Sequence, residues 1–139
     1  MPLFPSREWA EEFCRAINES KAYRDSARGW VWPILFKVID LPDELREMYP
    51  SGSPGMLVDL EDGVCKGVVF YEDASGTDAP YIISARYRDW IDVINGRIHP
   101  LSAFLRRKLR LEKGSIGVIM RYPTAAVELV KCARMVGVE

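Results

Sequence analysis

Residues 90–115 decide the fold. They run Trp90-Ile91-Asp92-Val93-Ile94-Asn95-Gly96-Arg97-Ile98-His99-Pro100-Leu101-Ser102-Ala103-Phe104-Leu105, then Arg106-Arg107-Lys108-Leu109-Arg110-Leu111-Glu112-Lys113-Gly114-Ser115. Here the apolar period changes. Tyr87, Trp90, Ile91 and Ile94 recur at helical spacing. Gly96 is placed to stop that helix, because glycine accepts the left-handed conformation helices often end in. His99 stands before Pro100, which suits the first position of a second helix. Leu101, Phe104 and Leu105 form its apolar face. Arg106, Arg107 and Lys108 fall at its C-terminal end, where the helix dipole favours cations. Leu109 and Leu111, alternating with Arg110 and Glu112, predict a short strand. Gly114-Ser115 leads into an apolar turn, Ile116 to Met120. Pro123 opens a last helix whose inner stripe is Ala126, Leu129, Val130 and Ala133.

Upstream, Ser6 caps a first helix with Trp9, Phe13, Ala16 and Ile17 inward. A short helix follows over Ser20 to Ser26. Trp30 to Asp40 then predicts a strand, rich in β-branched and aromatic residues, with Pro33 marking an edge or a bulge. Alternation places Trp30, Trp32, Ile34, Phe36 and Val38 on one face. Leu41 to Pro54 predicts a loop with one helical turn near Glu44 to Met48. Met56 to Leu60 and Val64 to Tyr71 flank Asp62-Gly63, a strong hairpin signal. With Tyr81 to Ala85 as the next strand, the middle of the chain predicts an antiparallel meander. Strands and helices are segregated. The expected class is therefore α+β, with helices packed on one face of a mainly antiparallel sheet.

The chain has 139 residues, 48% apolar and 28% charged, which fits one globular domain spanning 1–139. Its net charge of −1 excludes a generally basic nucleic-acid binder. The sum hides an asymmetry: residues 1–95 carry −7 and residues 96–139 carry +6. Cys14, Cys65 and Cys132 are dispersed and odd in number, so the expectation is three unpaired thiols in a reducing compartment. The N-terminus has no basic flank followed by an apolar stretch, and no apolar run is long enough to span a bilayer. A soluble, cytoplasmic protein is expected.

Catalytic sets are sparse. His99 is the one histidine, which excludes three-histidine metal sites. A small acyl hydrolase would have to use it, yet no nucleophile accompanies it in sequence; a helix cap is the simpler role. Asp59/Glu61 and Glu72/Asp73 sit at strand ends as turn residues. Gly114-Ser115-Ile116-Gly117 lacks the remaining residues of a P-loop or a dinucleotide fingerprint. No cofactor and no metal are expected. Arg106, Arg107, Lys108, Arg110 and Lys113 form the main charge feature, suited to an anionic head group, an anionic membrane surface or an acidic protein partner.

The stretch quoted above resembles the sterol carrier protein type-2 family. In that family a helix ends in Gly, followed by a polar residue and Pro, then Ala-Phe, Gly-Lys-Leu, a short strand and a second Gly. Here Gly96, Pro100, Ala103, Phe104, Lys108, Leu109, Gly114 and Ser115 fill those places. Arg107 stands where the family usually has Gly, and one extra residue lies between Lys108 and Gly114. The resemblance implies an about five-stranded sheet covered by helices, with an apolar tunnel between them for a sterol, fatty acyl chain, acyl-CoA or phospholipid. On that reading Trp32, Ile34, Phe36, Trp90, Ile94, Phe104, Leu105, Ile119 and Met120 are the candidate wall residues. The expected function is lipid binding or transfer without catalytic residues. The alternative is a module that delivers an acyl ligand to a partner enzyme, docking through residues 106–113.

Overall fold

The computed structural model describes all 139 residues. Two capped helices open the chain. In α1 (Arg7–Glu19) the Ser6 hydroxyl accepts from the Trp9 N–H, and in α2 (Lys21–Ser26) the Ser20 hydroxyl accepts from the Tyr23 N–H. Strand β1 (Ile34–Ile39) begins only after Pro33. Proline has no N–H to give a ladder, so the strand is shorter than the Trp30 to Asp40 run predicted. The Trp30 carbonyl instead accepts from the Asp62 N–H at 2.8 Å. A short helix, α3 (Asp43–Met48), leads to β2 (Gly55–Glu61) and β3 (Val64–Tyr71). Their turn carries Asp62 at φ 48° and Gly63 at φ 84°, the paired positive angles that suit the right-handed twist of a hairpin.

The sheet has five strands in the order β3-β2-β1-β4-β5, with β4 at Tyr81–Arg86 and β5 at Arg110–Lys113. It is mainly antiparallel, as expected, but its central pair is parallel: β1 and β4 match from Ile34↔Tyr81 to Ile39↔Arg86. The predicted meander is thereby corrected. After β3 the chain does not turn back beside it. It crosses the outer face of the sheet, as a parallel partner requires. The Ala74 N–H donates to the Ser53 carbonyl at 2.8 Å, and Ala74 and Ala79 pack on Leu35 and Ile82 in a small outer core.

The main core lies on the other face. Ile34, Val38, Met56, Val58, Leu60 and Ile83 point from the sheet toward the helices. Covering them are α1, α4 (Tyr87–Ile94) and α7 (Pro123–Val136), while α5 (Pro100–Leu105) and α6 (Ile116–Ile119) close the edge beside β5. The Trp9 indole donates to the Gly137 carbonyl at 2.8 Å, tying the start of the chain to the end of α7.

Cys14 and Cys65 form a disulfide, which overturns the expectation of three free thiols. Packing α1 across β3 brings their Cα atoms to 5.5 Å although 51 positions separate them, and spacing along a chain does not reveal such proximity. The cysteine argument for a reducing compartment falls with it. The Asn18 side chain fixes the same junction. Its Nδ2 donates to the Cys65 carbonyl and its Oδ1 accepts from the Cys65 N–H, each at 2.8 Å. Only Cys132 is free, and it is buried in α7.

Two ion pairs hold the basic C-terminal part to the acidic part. Buried Asp89 of α4 accepts from Arg86 Nε at 2.9 Å and from Lys108 Nζ at 3.4 Å. Burial works to raise its carboxyl, but the hydrogen bond and charge of Arg86, with Lys108 beside it, outweigh that and hold it below the ordinary value. On the outer face, buried Lys37 of β1 reaches Glu112 of β5 at 3.1 Å.

Both kinds of anchor can be measured. Replacing Cys14 and Cys65 together by Ser lowers stability by about 4 kcal/mol, since the bridge closes a loop of some fifty residues; urea unfolding measures it. Asp89→Asn lowers stability by about 2 kcal/mol at neutral pH. The folded carboxyl titrates below its unfolded counterpart. Its contribution is therefore full at neutral pH and disappears as pH falls through the folded value. Urea midpoints across an acid series consequently converge for Asp89→Asn and the parent protein at low pH.

Candidate functional site

The sheet and the helices do not meet everywhere. A cavity of about 100 Å³ lies between them, walled by Ile34 and Phe36 of β1, Trp90 and Val93 of α4, Phe104 of α5, and Ala126, Leu129 and Val130 of α7. Leu109 and Ile119 close it toward the β5 edge. A second cavity of about 60 Å³ lies toward α1, among Trp9, Phe13, Val38, Met56 and Ile94. The two share Phe36, Trp90, Val93, Leu129 and Val130. The partition is thus a few side chains thick. Its centre is the edge-to-face pair Phe36–Trp90, with ring centroids 5.7 Å apart.

No charged side chain lines either cavity. Tyr23, at the first, has its hydroxyl pushed well up by burial and stays neutral. No buried polar side-chain atom in the protein lacks a hydrogen-bond partner. Apart from the Tyr23 and Tyr122 hydroxyls of the first cavity these walls are apolar, so a charged end of an occupant must sit toward solvent.

The candidate wall residues divide clearly. Ile34, Phe36, Trp90, Phe104 and Ile119 line the first cavity, and Ile94 lines the second. Trp32, Leu105 and Met120 line neither. Trp32 precedes the strand start and packs on Trp30 and Tyr81, with ring centroids 5.2 and 5.6 Å away. Leu105 ends α5 and is 77% exposed. Met120 follows α6 and faces an outer groove with Leu105, Leu111 and Ile116. The α7 residues Ala126, Leu129 and Val130 were legible as an inner stripe. Their facing the cavity depends on how far α7 stands from the sheet, which no pattern in sequence states.

His99 acts as the N-cap of α5, its Nδ1 accepting from the Leu101 N–H at 3.1 Å. That bond occupies the lone pair a general base would use. No cluster of three or more metal-ligating side chains is present. Of the basic set, Lys108 is held by Asp89 and Lys113 by Asp78 at 2.7 Å. Arg106, Arg107 and Arg110 are exposed and make no ion pair. Arg107 has φ 59°, a left-handed angle that explains why glycine suits this position in the resembled family.

Comparison with known proteins agrees with this architecture. The family model described as the SCP-2 sterol transfer family matches residues 11–126. A crystal structure of sterol carrier protein 2 is 37% identical, with TM-score 0.82 and coverage of 93% of this chain and 95% of that one. A Thermus thermophilus protein, described as a conserved hypothetical protein and possibly a sterol carrier protein, is also 37% identical. Its TM-score is 0.85, covering 100% of this chain and 92% of that one. The apo form of sterol carrier protein 2 from Yarrowia lipolytica, at 16% identity and TM-score 0.55 over 91% of this chain and 87% of that one, shares the fold. No curated protein matches the chain. With its fold, its apolar cavities and a family match across most of its length, the chain belongs to the SCP-2 sterol transfer family and is, in general class, a lipid-binding or lipid-transfer protein.

Proposed function

We propose that the two cavities are lobes of one apolar tunnel that holds the hydrocarbon part of a single lipid: a fatty acyl chain, as free acid, acyl-CoA or phospholipid, or a sterol-like body. The observation that carries this reading is the shared wall of Phe36, Trp90, Val93, Leu129 and Val130. On this reading, movement of these shared side chains joins the lobes. The empty volumes are small against the roughly 300–1,000 Å³ of ordinary ligand sites. Loading therefore displaces side chains and α7, and the occupant fills what they vacate. Each methylene moved from water into the tunnel contributes about 0.8 kcal/mol. Such contacts are non-directional, so selection among chains of similar shape is weak.

Carriage is favoured over chemistry because the walls contain no nucleophile–base pair and His99 is engaged as a cap. Two measurements test the reading. Organic extraction of the purified protein followed by mass spectrometry is expected to yield a lipid in stoichiometric amount. Ala126→Trp, which fills the first lobe, is expected to weaken binding of a fluorescent fatty acid by about tenfold or more, the value of two lost methylenes, without loss of thermal stability. If no lipid is recovered and the parent protein binds no fluorescent fatty acid, the tunnel reading is wrong.

A further inference from the structure

Beside the cavity, on the protein's surface, lies a second apolar feature. Phe104, Leu105, Leu109, Leu111, Ile116 and Met120 line an open groove between α5, β5 and α6, together with Arg107 and Arg110. Leu105 is 77% exposed and Ile116 44% exposed, both at the groove. Arg107 and Arg110 lie at the groove itself, and Arg106 and Arg121 directly follow the lining residues Leu105 and Met120 in the chain; all four are exposed and none is in an ion pair. The nearest carboxylate in sequence, Glu112, is engaged by Lys37. Exposed leucine and isoleucine ringed by unpaired arginines is a poor surface for water alone. It is well matched to a bilayer interface, where apolar side chains enter the acyl boundary and cations meet anionic head groups.

The same segment reaches inward. Phe104 and Leu109 line both the outer groove and the first cavity. These two side chains are therefore common to the groove and the cavity wall. On α6, Ile116 faces the groove while Ile119 faces the cavity. From this juxtaposition we propose that the α5–β5–α6 face docks on anionic membranes and that Phe104 and Leu109 form the portal through which the lipid passes between bilayer and tunnel. The inference rests on the tunnel reading and adds to it a surface, a partner and a route. The charge division along the chain supports the orientation. The helix-and-strand part of residues 1–95 carries −7 and is repelled by an anionic surface, whereas residues 96–139 carry +6 and are drawn to it.

The test uses the full chain and three substitutions outside the tunnel wall: Leu105→Ser, Arg106→Gln and Arg110→Gln, combined. All three positions are exposed, so the fold is retained, as circular dichroism and thermal melting verify. Partitioning is measured on phosphatidylcholine vesicles with and without phosphatidylserine. The parent protein is expected to bind the serine-containing vesicles, less so as salt is raised, and the triple variant to bind them about 100-fold more weakly. Fluorescent fatty acid supplied from solution should bind both proteins alike. Pick-up of a fluorescent phospholipid from serine-containing vesicles should slow at least tenfold in the variant.

Equal binding of the parent protein to both vesicle types overturns the docking surface, even where fatty-acid binding from solution shows that the tunnel itself stands; an acidic protein partner would then be the claim to test for the arginines. Unchanged pick-up by a variant that no longer binds vesicles overturns the portal. Loss of fatty-acid binding by the parent protein refutes the tunnel reading separately.

Discussion

The Trp90 indole N–H donates to the main-chain carbonyl of Lys37 at 2.8 Å, and the space between sheet and helices is organised about that bond. It fixes α4 to the middle of β1, a strand with neighbours on both sides. It also turns the indole edge-on to Phe36. A buried tryptophan needs a partner for its N–H, and a strand carbonyl can serve only if the helix sits at one height above the sheet. With α4 held there, the rings divide the interior, and α7 must span the remaining width. It does so with small or modest residues, Ala126, Leu129 and Val130, opposite aromatic ones. The gap that results is the cavity pair.

Charge is arranged so that none of it enters that gap. Asp89 lies on the same helix as Trp90 but is buried against Arg86 and Lys108. Lys37 contributes its carbonyl to Trp90 on the inside, while its ammonium lies on the opposite face of the sheet with Glu112. The period-2 alternation of a strand makes this separation possible. Each of these pairs also links the acidic portion of the chain to the basic C-terminal segment, through Lys108 in one case and through β5 in the other. The elements that close the cavity edge are therefore held electrostatically, and those that line it are held by packing.

Much of this was legible in residues whose signals are local. Asp62-Gly63 specified its hairpin because that turn uses two successive positive φ angles, which this residue pair tolerates. His99-Pro100 specified a helix start, and the change of period at Tyr87 marked where strand gives way to helix. The features that escaped are set by distant partners. The parallel pairing of β1 with β4 depends on a crossover that hides in an ordinary loop. The Cys14–Cys65 bridge depends on the angle at which α1 crosses β3. Trp32, Leu105 and Met120 share residue type and periodicity with the residues that line the two cavities, and differ from them in where an element begins or ends. Pro33 delays β1 past Trp32, and α5 stops at Leu105 before any neighbour covers it. Hydrophobic pattern says that a side chain prefers burial; it does not say whether another element arrives to bury it.

That limit bears on why a protein would keep an incompletely filled interior. Cores pack at near-crystalline density, and unfilled volume forfeits contacts on every atom that borders it. Filling the gap with larger residues on α7 would recover them. The chain instead places Ala125, Ala126 and Ala133 on that helix, and secures its framework by other means: the Cys14–Cys65 bridge, the Asn18 bracket and the buried ion pairs. None of these side chains lines either cavity. Stability supplied at the periphery lets the interior remain under-packed without loss of the fold. An apolar occupant that binds only the folded chain then adds its own binding free energy to stability. A structure so divided is suited to taking up and releasing a lipid, because the contacts that change are not the ones that hold the sheet and helices in place.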